Sequence, residues 1–290
     1  MKLSIITINY NNAEGLRKTL ASVAAQTYRD IEHIIIDGSS TDGSVDVIKE
    51  YVRNVERMNE LKSEGIHVVW LSETDKGIYN AMNKGIRKAT GDYVQILNSG
   101  DMLAAEDVTE SMMVKLNELS NERVNESDGV AILYGNMIKK DYTTGKILGK
   151  SKEVEYSLRQ YYSSTMNHDC CYFRRDLFEV YGLYDENLKI VSDWKWFLQA
   201  IGLGNVKPVY VDIDVTIFDA SGISETNLAL RNKERRQVLE ELLPPAILVD
   251  YDKYAFPTTQ FDRLKKYHLW PLVYFIERVL FKLNKWHILR

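Results

Sequence analysis

The first hundred residues alternate apolar, strand-like runs with helical ones. That alternation constrains the fold more than any other feature of the chain. "LSIITINY" is a β-branched run ending in polar residues, the mark of one buried strand. "NNAEGLRKTLASVAAQT" follows, with Leu16, Leu20, Val23 and Ala24 on one helical face. "IEHIIID" is a second strand. "GSSTDGS" is a turn cluster whose Asp42 or Ser44 can cap the next helix, "VDVIKEYVRNV". The strand "IHVVWLS", the short helix "YNAMNKGIRKAT" and the strand "DYVQIL" complete the series. Strands that are apolar throughout, with helices between them, predict an α/β fold. The sheet should be Rossmann-like, mostly parallel and covered on both faces. Ligands of such sheets bind beyond the carboxyl ends of the strands. The polar residues at those ends are therefore the first candidates: Thr7, Asn9, Asp37, Glu73, Asp75, Asn98 and Asp101.

Beyond residue 104 the pattern changes. A helical stretch over 106–120 gives way to the polar loop "SNERVNESDG", and "VAILYGNMIKK" with "TGKILGKS" reads as a hairpin. "HDCCYFRRDLFEVYGLYDE" and "VSDWKWFLQAIGLG" read as loop and helix, and "VKPVYVDIDVTIFDASGIS" as a strand region. Residues 226–290 form a C-terminal extension, helical and then basic and amphipathic.

Charge is unevenly placed. Seven Lys and Arg against Glu277 give residues 263–290 a charge of +6, which leaves −10 on residues 1–262 of a chain whose net charge is −4. An acidic body argues against a nucleic-acid partner. In the tail, Arg278, Lys282 and Lys285 share one helical face, and Leu272, Phe275, Val279, Leu283 and Trp286 share another. That pattern suits a helix lying on an anionic membrane surface. It equally suits a helix docked on its own body, or on a second subunit in a homodimer. No run reaches about 18 apolar residues, and the first apolar run has neither the length nor the cleavage site of a secretory leader. The adjacent Cys170 and Cys171 offer no disulfide framework or metal spacing and suit a reducing compartment. The expected location is cytoplasmic, peripheral on the inner face of the cytoplasmic membrane.

Three blocks carry a resemblance. They are "SIITINYNNAEGLRKTLASVAAQTYRDIEHIIIDGSSTDGS", "SETDKGIYNAMNKGIRKATGDYVQILNSGD" and "VSDWKWFL". Together they resemble family 2 glycosyltransferases of the GT-A fold, over about residues 1–225. The resemblance makes 1–103 the nucleotide-sugar-binding half and 104–225 the acceptor half. It implies inverting transfer of a sugar from a nucleotide-diphosphate donor, usually a UDP-sugar, assisted by a divalent cation, Mn²⁺ or Mg²⁺. The acceptor would be a hydroxyl of a saccharide or lipid-linked saccharide, as in cell-surface polysaccharide synthesis.

The resemblance also implies roles. Asp37 matches an Asp that binds the nucleoside, and Thr7 and Asn9 would flank the same base. Asp75 would meet nucleoside or sugar hydroxyls. Lys76 would face phosphate, near backbone N–H groups at the helix start. The family's two-carboxylate D-x-D run reads Asn98-Ser99-Gly100-Asp101 here. Asp101 alone is left as an anionic metal ligand, with Asn98 offering an amide to ribose or sugar. A hard cation held by one carboxylate takes its other oxygens from phosphate and water, so metal affinity should depend on the bound diphosphate. Asp193 matches the family's second acidic motif and is the expected general base, although the same residue could simply cap its helix. His168 falls in a stretch placed near the acceptor, and "DASGIS" in one near the donor diphosphate.

The thinned 98–101 run keeps a non-catalytic nucleotide-sugar binding module open as an alternative, and Asp193 argues against it. A nucleotidyltransferase lacks its Gly-rich, basic triphosphate loop here. "NYNNAEG" is not a dinucleotide fingerprint.

Overall fold

The strand and helix series of the first hundred residues forms in the expected order. A computed structural model describes residues 1–60, 65–122, 129–142, 144–219, 227–253, 267 and 270–285. The strands are β1 (Leu3–Asn9), β2 (Ile31–Asp37), β3 (His67–Ser72) and β4 (Tyr93–Ile96). The helices between them are α1 (Ala13–Ala24), α2 (Ser44–Glu60) and α3 (Ile78–Lys88). β1 and β2 are buried along their whole length, as their unbroken Ile-rich sequences require. Alternate side chains then serve opposite faces. Leu3, Ile5, Ile31 and Ile35 join Leu16, Leu20 and Val23 of α1 and Val47, Ile48 and Tyr51 of α2 in one core. On the other face α3 presses close to β1: a Cβ on Gly85 would stand 2.3 Å from Ile6 Cγ2, so only glycine permits this approach.

β3 departs from expectation. It is the edge strand, and none of its residues is buried. Its apolar run pairs with β2 alone, so it lacks the two-sided cover that β1 and β2 enjoy.

The second half adds β5 (Met102–Leu103), α4 (Val108–Glu122), β6 (Ile132–Lys140), β7 (Ile147–Lys150), α5 (Leu158–Ser163), β8 (Cys171–Arg174) and α6 (Leu177–Val180). It continues with α7 (Ser192–Phe197), a π turn over Leu198–Leu203, β9 (Pro208–Asp219) and α8 (Leu228–Leu242). Among the described residues the sheet runs β3-β2-β1-β4-β8-β6-β9-β5, with β7 on β6. β1 to β4 are mutually parallel, and β6 and β7 form the expected hairpin. The sheet as a whole is mixed rather than mostly parallel, because β8 runs antiparallel to both β4 and β6. The "CYFR" of β8, the apolar, strand-like run that follows His168 and Asp169 within a region read as loop and helix, is the strand that joins the two halves. It is held by Tyr172 and Phe173, both fully buried between two neighbouring strands.

The chain divides into two compact units, Met1–Arg236 and Gln237–Arg290, not at the expected boundary of 225. The reason lies in Glu234. It is buried and accepts the backbone N–H groups of Lys189 (2.8 Å) and Ile190 (2.9 Å), tying the first turns of α8 to the first unit. The second unit holds the end of α8 and, further on, α9 (Trp270–Lys285). Among the described residues no helix is long and apolar enough to cross a membrane.

Candidate active site

The parallel strands deliver their carboxyl ends to one edge, and a cleft of about 670 Å³ lies there. Asn9, Gly38, Asp75, Asn98 and Asp101 line it, with Tyr10, Asn12 and Phe218. The strand-end candidates therefore converge, but unequally.

Asp37 is fully buried and faces its own neighbours. Oδ1 accepts from Asn9 Nδ2 (2.9 Å) and Ser40 Oγ (2.6 Å), and Oδ2 from the Ser40 N–H (3.0 Å) and Ser72 Oγ (2.7 Å). Burial alone would raise its pKa. The donors from Ser40, Ser72 and Asn9 outweigh burial and hold the carboxyl below its ordinary value. Four donors exhaust a carboxylate's usual capacity. Asp37 therefore fixes the ends of β1, β2 and β3, and it is Gly38 that faces the cleft. A Cβ on Gly38 would lie 3.1 Å from both Asp75 Oδ2 and the Tyr10 ring. Asp75 thus presents its carboxylate where a residue 38 side chain would otherwise project. Its Oδ1 pairs with Lys84, which also reaches Glu73 (2.8 Å).

Two expected residues stand apart. Thr7 is fully buried, with Oγ1 3.0 Å from His33 Nε2, because its strand position points into the α1–α2 core. Lys76 is exposed and does not line the cleft; Lys84, in the second turn of α3, is the lysine that meets Asp75. Asn80 and Asn83 of α3 hold Glu186 (2.7 and 2.9 Å), and Asn83 also binds Tyr184.

The 98–101 turn is held from α1. Thr19 Oγ1 donates to the Asp101 carbonyl (2.6 Å) and accepts the Gly100 N–H (3.0 Å), while Asn12 Nδ2 donates to the Ser99 carbonyl (3.1 Å). Gly100 has φ 108°, a conformation that suits glycine alone. Asp101 and Asn98 both line the cleft. Asn98 Oδ1 is buried and has no hydrogen-bond partner. An unpartnered amide oxygen and one carboxylate in the same cleft lining are a fitting partial donor set for a hard cation. Among the described residues no group of three or more His, Cys, Asp or Glu could hold a metal by itself. The remaining ligands would have to come from a bound diphosphate and water.

Asn98 also begins a polar chain. Its Nδ2 lies 3.3 Å from His168 Nε2, and His168 Nδ1 lies 3.2 Å from Asp193 Oδ2. Tyr79 OH donates to Asp193 Oδ1 at 2.9 Å. A His168 tautomer carrying its proton on Nδ1 satisfies both of its contacts. Asp193 is the second residue of α7. Val191 occupies the cap position, so Asp193 is not the helix cap. Burial would raise the Asp193 pKa, but His168, Tyr79 and the Trp194 N–H outweigh it and hold the carboxyl below its ordinary value. For His168 the order reverses: burial lowers the pKa, and Asp193, Asp169 and Asp101 together raise it above the usual imidazole value. Tyr79 is driven far above the usual phenol range, first by burial and then by Asp193, and so remains a donor. The His168 and Asp193 side chains keep 17% and 19% of their surface exposed, which leaves the carboxylate open to an incoming hydroxyl.

Behind Asp193 lies a smaller cavity of about 170 Å³, lined by His168, Trp194, Lys139, Arg231 and Arg235; Phe218 borders both spaces. Sequence reasoning missed Tyr79, Thr19, Tyr10 and the two arginines. Tyr79 sits within a quoted block, but its partner is 114 residues away. The arginines lay beyond the expected domain boundary. Cys170 and Cys171 are buried free thiols facing the Asn167 carbonyl. Residues 220–226, which include most of "DASGIS", fall outside the described residues.

The profile of Glycosyl transferase family 2 matches residues 4–182. An uncharacterized glycosyltransferase of Mycobacterium tuberculosis is 31% identical over 224 residues, 76% of each chain. A PGL/p-HBAD biosynthesis glycosyltransferase of Mycobacterium bovis BCG is 25% identical, over 77% of this chain and 79% of its own. Among solved structures, S. aureus TarS 1-349 with UDP-GlcNAc aligns at TM-score 0.60 and 18% identity, over 82% of this chain and 64% of that one. The mannosyltransferase PcManGT of Pyrobaculum calidifontis, with GDP-Man and Mn²⁺, aligns at TM-score 0.59 and 17% identity, over 83% and 63%. The curled, helix-flanked sheet is thus the GT-A fold, and the chain belongs to glycosyl transferase family 2.

Proposed function

We propose that this chain is an inverting, metal-assisted glycosyltransferase. It moves a sugar from a nucleotide-diphosphate donor, a UDP-sugar, to a hydroxyl of a saccharide or lipid-linked saccharide acceptor in cell-surface polysaccharide synthesis. The observation that carries the reading is the placement of Asp193. An ionised, partly open carboxylate lines the smaller cavity and is linked through His168 to Asn98 on the wall of the 670 Å³ cleft, with Phe218 bordering both spaces.

In this reading the nucleoside lies over Gly38 beside Tyr10 and Asp75, and the diphosphate reaches Asp101 and Asn98. Those two residues would hold Mn²⁺ or Mg²⁺, which when bound offsets the charge that grows on the leaving diphosphate. Asp193 takes the proton from the acceptor hydroxyl as that oxygen attacks the anomeric carbon opposite the diphosphate. General-base help of this kind contributes about 10²–10⁴-fold in rate. Tyr79 and His168 fix the carboxylate's direction and keep it ionised. An intact Asp193 disfavours the binding-module alternative.

The apolar face of α9 supports a place on the inner surface of the cytoplasmic membrane. Leu272, Phe275, Ile276 and Val279 are exposed, and Arg278 lies on the same helix. Residues 263–266, 268–269 and 286–290 of the basic tail, Trp286 among them, lie outside the described residues.

A thermal-shift screen of nucleotide-sugars with and without Mn²⁺ tests the proposal. Stabilisation by one UDP-sugar, larger with metal, is the expected result. No response to any nucleotide would sink it. Asp193→Asn should keep donor binding and lose transfer, whereas a binding module would be indifferent to the change.

A further inference from the structure

The 170 Å³ cavity behind Asp193 is basic. Arg231, Arg235 and Lys139 line it beside His168 and the two carboxylates Asp169 and Asp193. Both carboxylates are engaged elsewhere: Asp193 holds Tyr79 and His168, and buried Asp169 accepts from Thr216 Oγ1 at 2.7 Å. Glu234, adjacent to Arg235, is spent on the backbone of Lys189 and Ile190.

Arg235 is held in place with donors to spare. Its guanidinium lies 4.8 Å from the Trp194 ring, and Nη1 donates to the Ser163 carbonyl at 3.2 Å. Its Nε is buried with no hydrogen-bond partner. A buried guanidinium donor left open is uncommon and points to a group that arrives from outside. Burial and the neighbouring Arg231 weaken its hold on its proton, Asp193 offsets them only in part, and an anion in the cavity would relieve the rest. Planar guanidinium forks suit carboxylate and phosphate oxygens, and stacking on Trp194 pre-orders one of them.

We propose that the acceptor carries an oxyanion, a phosphate or a carboxylate, which Arg231 and Arg235 bind in the cavity that holds Asp193. This rests on the transferase reading and names the acceptor class for it. The cavity is too small for a nucleoside diphosphate, which the larger cleft accommodates. An anion anchored on α8 would present a neighbouring hydroxyl to Asp193, so the arginines are positioning residues.

The test uses the full chain with the donor cleft saturated by UDP and Mn²⁺. Glucose 6-phosphate, glucuronate and neutral glucose are titrated by calorimetry. One of the two anions should bind and glucose should not; the anion that binds identifies the oxyanion class. In the Arg231→Gln/Arg235→Gln double variant that affinity should fall about 10- to 100-fold, with the UDP affinity held within about twofold. Arg235→Lys, which keeps the charge without the fork, should recover part of the loss. The proposal is overturned if neither anion binds wild type better than glucose. It is equally overturned if the double variant loses UDP affinity as fast as anion affinity, since the arginines would then serve the donor. Should the double variant misfold, the wild-type titrations and Arg235→Lys still decide. Wild-type protein that ignores UDP overturns the transferase reading instead, and the same titration without UDP still tests the arginines.

Discussion

Asp37→Asn isolates the carboxylate that ties β1, β2 and β3 together. The change keeps the shape and removes the charge. One oxygen of Asp37 accepts Asn9 Nδ2 and Ser40 Oγ, and the other accepts the Ser40 N–H and Ser72 Oγ. An amide retains one oxygen and sets an NH₂ group against two of these donors. Ser72 can rotate its hydroxyl to accept, but the backbone N–H of Ser40 cannot. Hydrogen bonds to a charged group contribute about 1.5–3 kcal/mol each, and two are lost or inverted. Part is recovered because a buried charge no longer has to be desolvated. The expected net loss is about 3 kcal/mol, roughly 100-fold in the folding equilibrium. In a unit of this size that is a fall of about 6–12 °C in melting temperature.

The pH dependence gives a second readout. The folded pKa of Asp37 lies below the ordinary value of 3.8. Its contribution is therefore complete above the unfolded-state pKa and is lost as pH falls through the lower folded value. The gap between wild type and Asp37→Asn should be widest near neutrality and narrow only below about pH 4. Differential scanning fluorimetry from neutral pH down to about pH 3 measures both effects. A loss under about 1 kcal/mol, or a gap that does not narrow in acid, would refute the assignment of Asp37 as the internal tie.

Tyr79→Phe removes one hydroxyl from Asp193. The carboxyl pKa should then rise, moving the acid limb of the transfer-rate profile to higher pH, with a stability loss of about 1.5–3 kcal/mol; an unmoved limb would separate Tyr79 from the base. Asp101→Asn deletes the only carboxylate of the 98–101 turn, the proposed anionic contact of the cation. The extra thermal stabilisation that Mn²⁺ adds to UDP should disappear while that of UDP alone persists, and a retained metal effect would place the cation elsewhere. Deletion of 263–290 should abolish binding to vesicles containing anionic lipid and leave the melting of the remaining chain unchanged. Undiminished vesicle binding by the folded truncation would count against the membrane role.

The legible part of this protein lies in its first hundred residues. Unbroken Ile-rich runs can only be strands covered on both faces, and the helical spacing between them forces parallel connections. Parallel strands in turn gather Asn9, Asp75, Asn98 and Asp101 at one edge. Asp193 was legible through its motif. What escaped depends on contacts distant in sequence. A strand-end Asp looks the same whether it faces a ligand or three neighbouring serine and asparagine donors, and only the packing of β1, β2 and β3 turned Asp37 inward and left Gly38 at the cleft. The apolar run of β8 takes its central place because β4 and β6 flank it. Tyr79, His168 and Asp193 come from three separate segments, and Arg235 from a helix beyond the expected domain boundary. Local sequence determined which residues are strands, turns and helices here. The tertiary structure decided which polar groups are spent inside and which remain open, because a hydrogen bond's partner is set by three-dimensional proximity rather than by spacing along the chain.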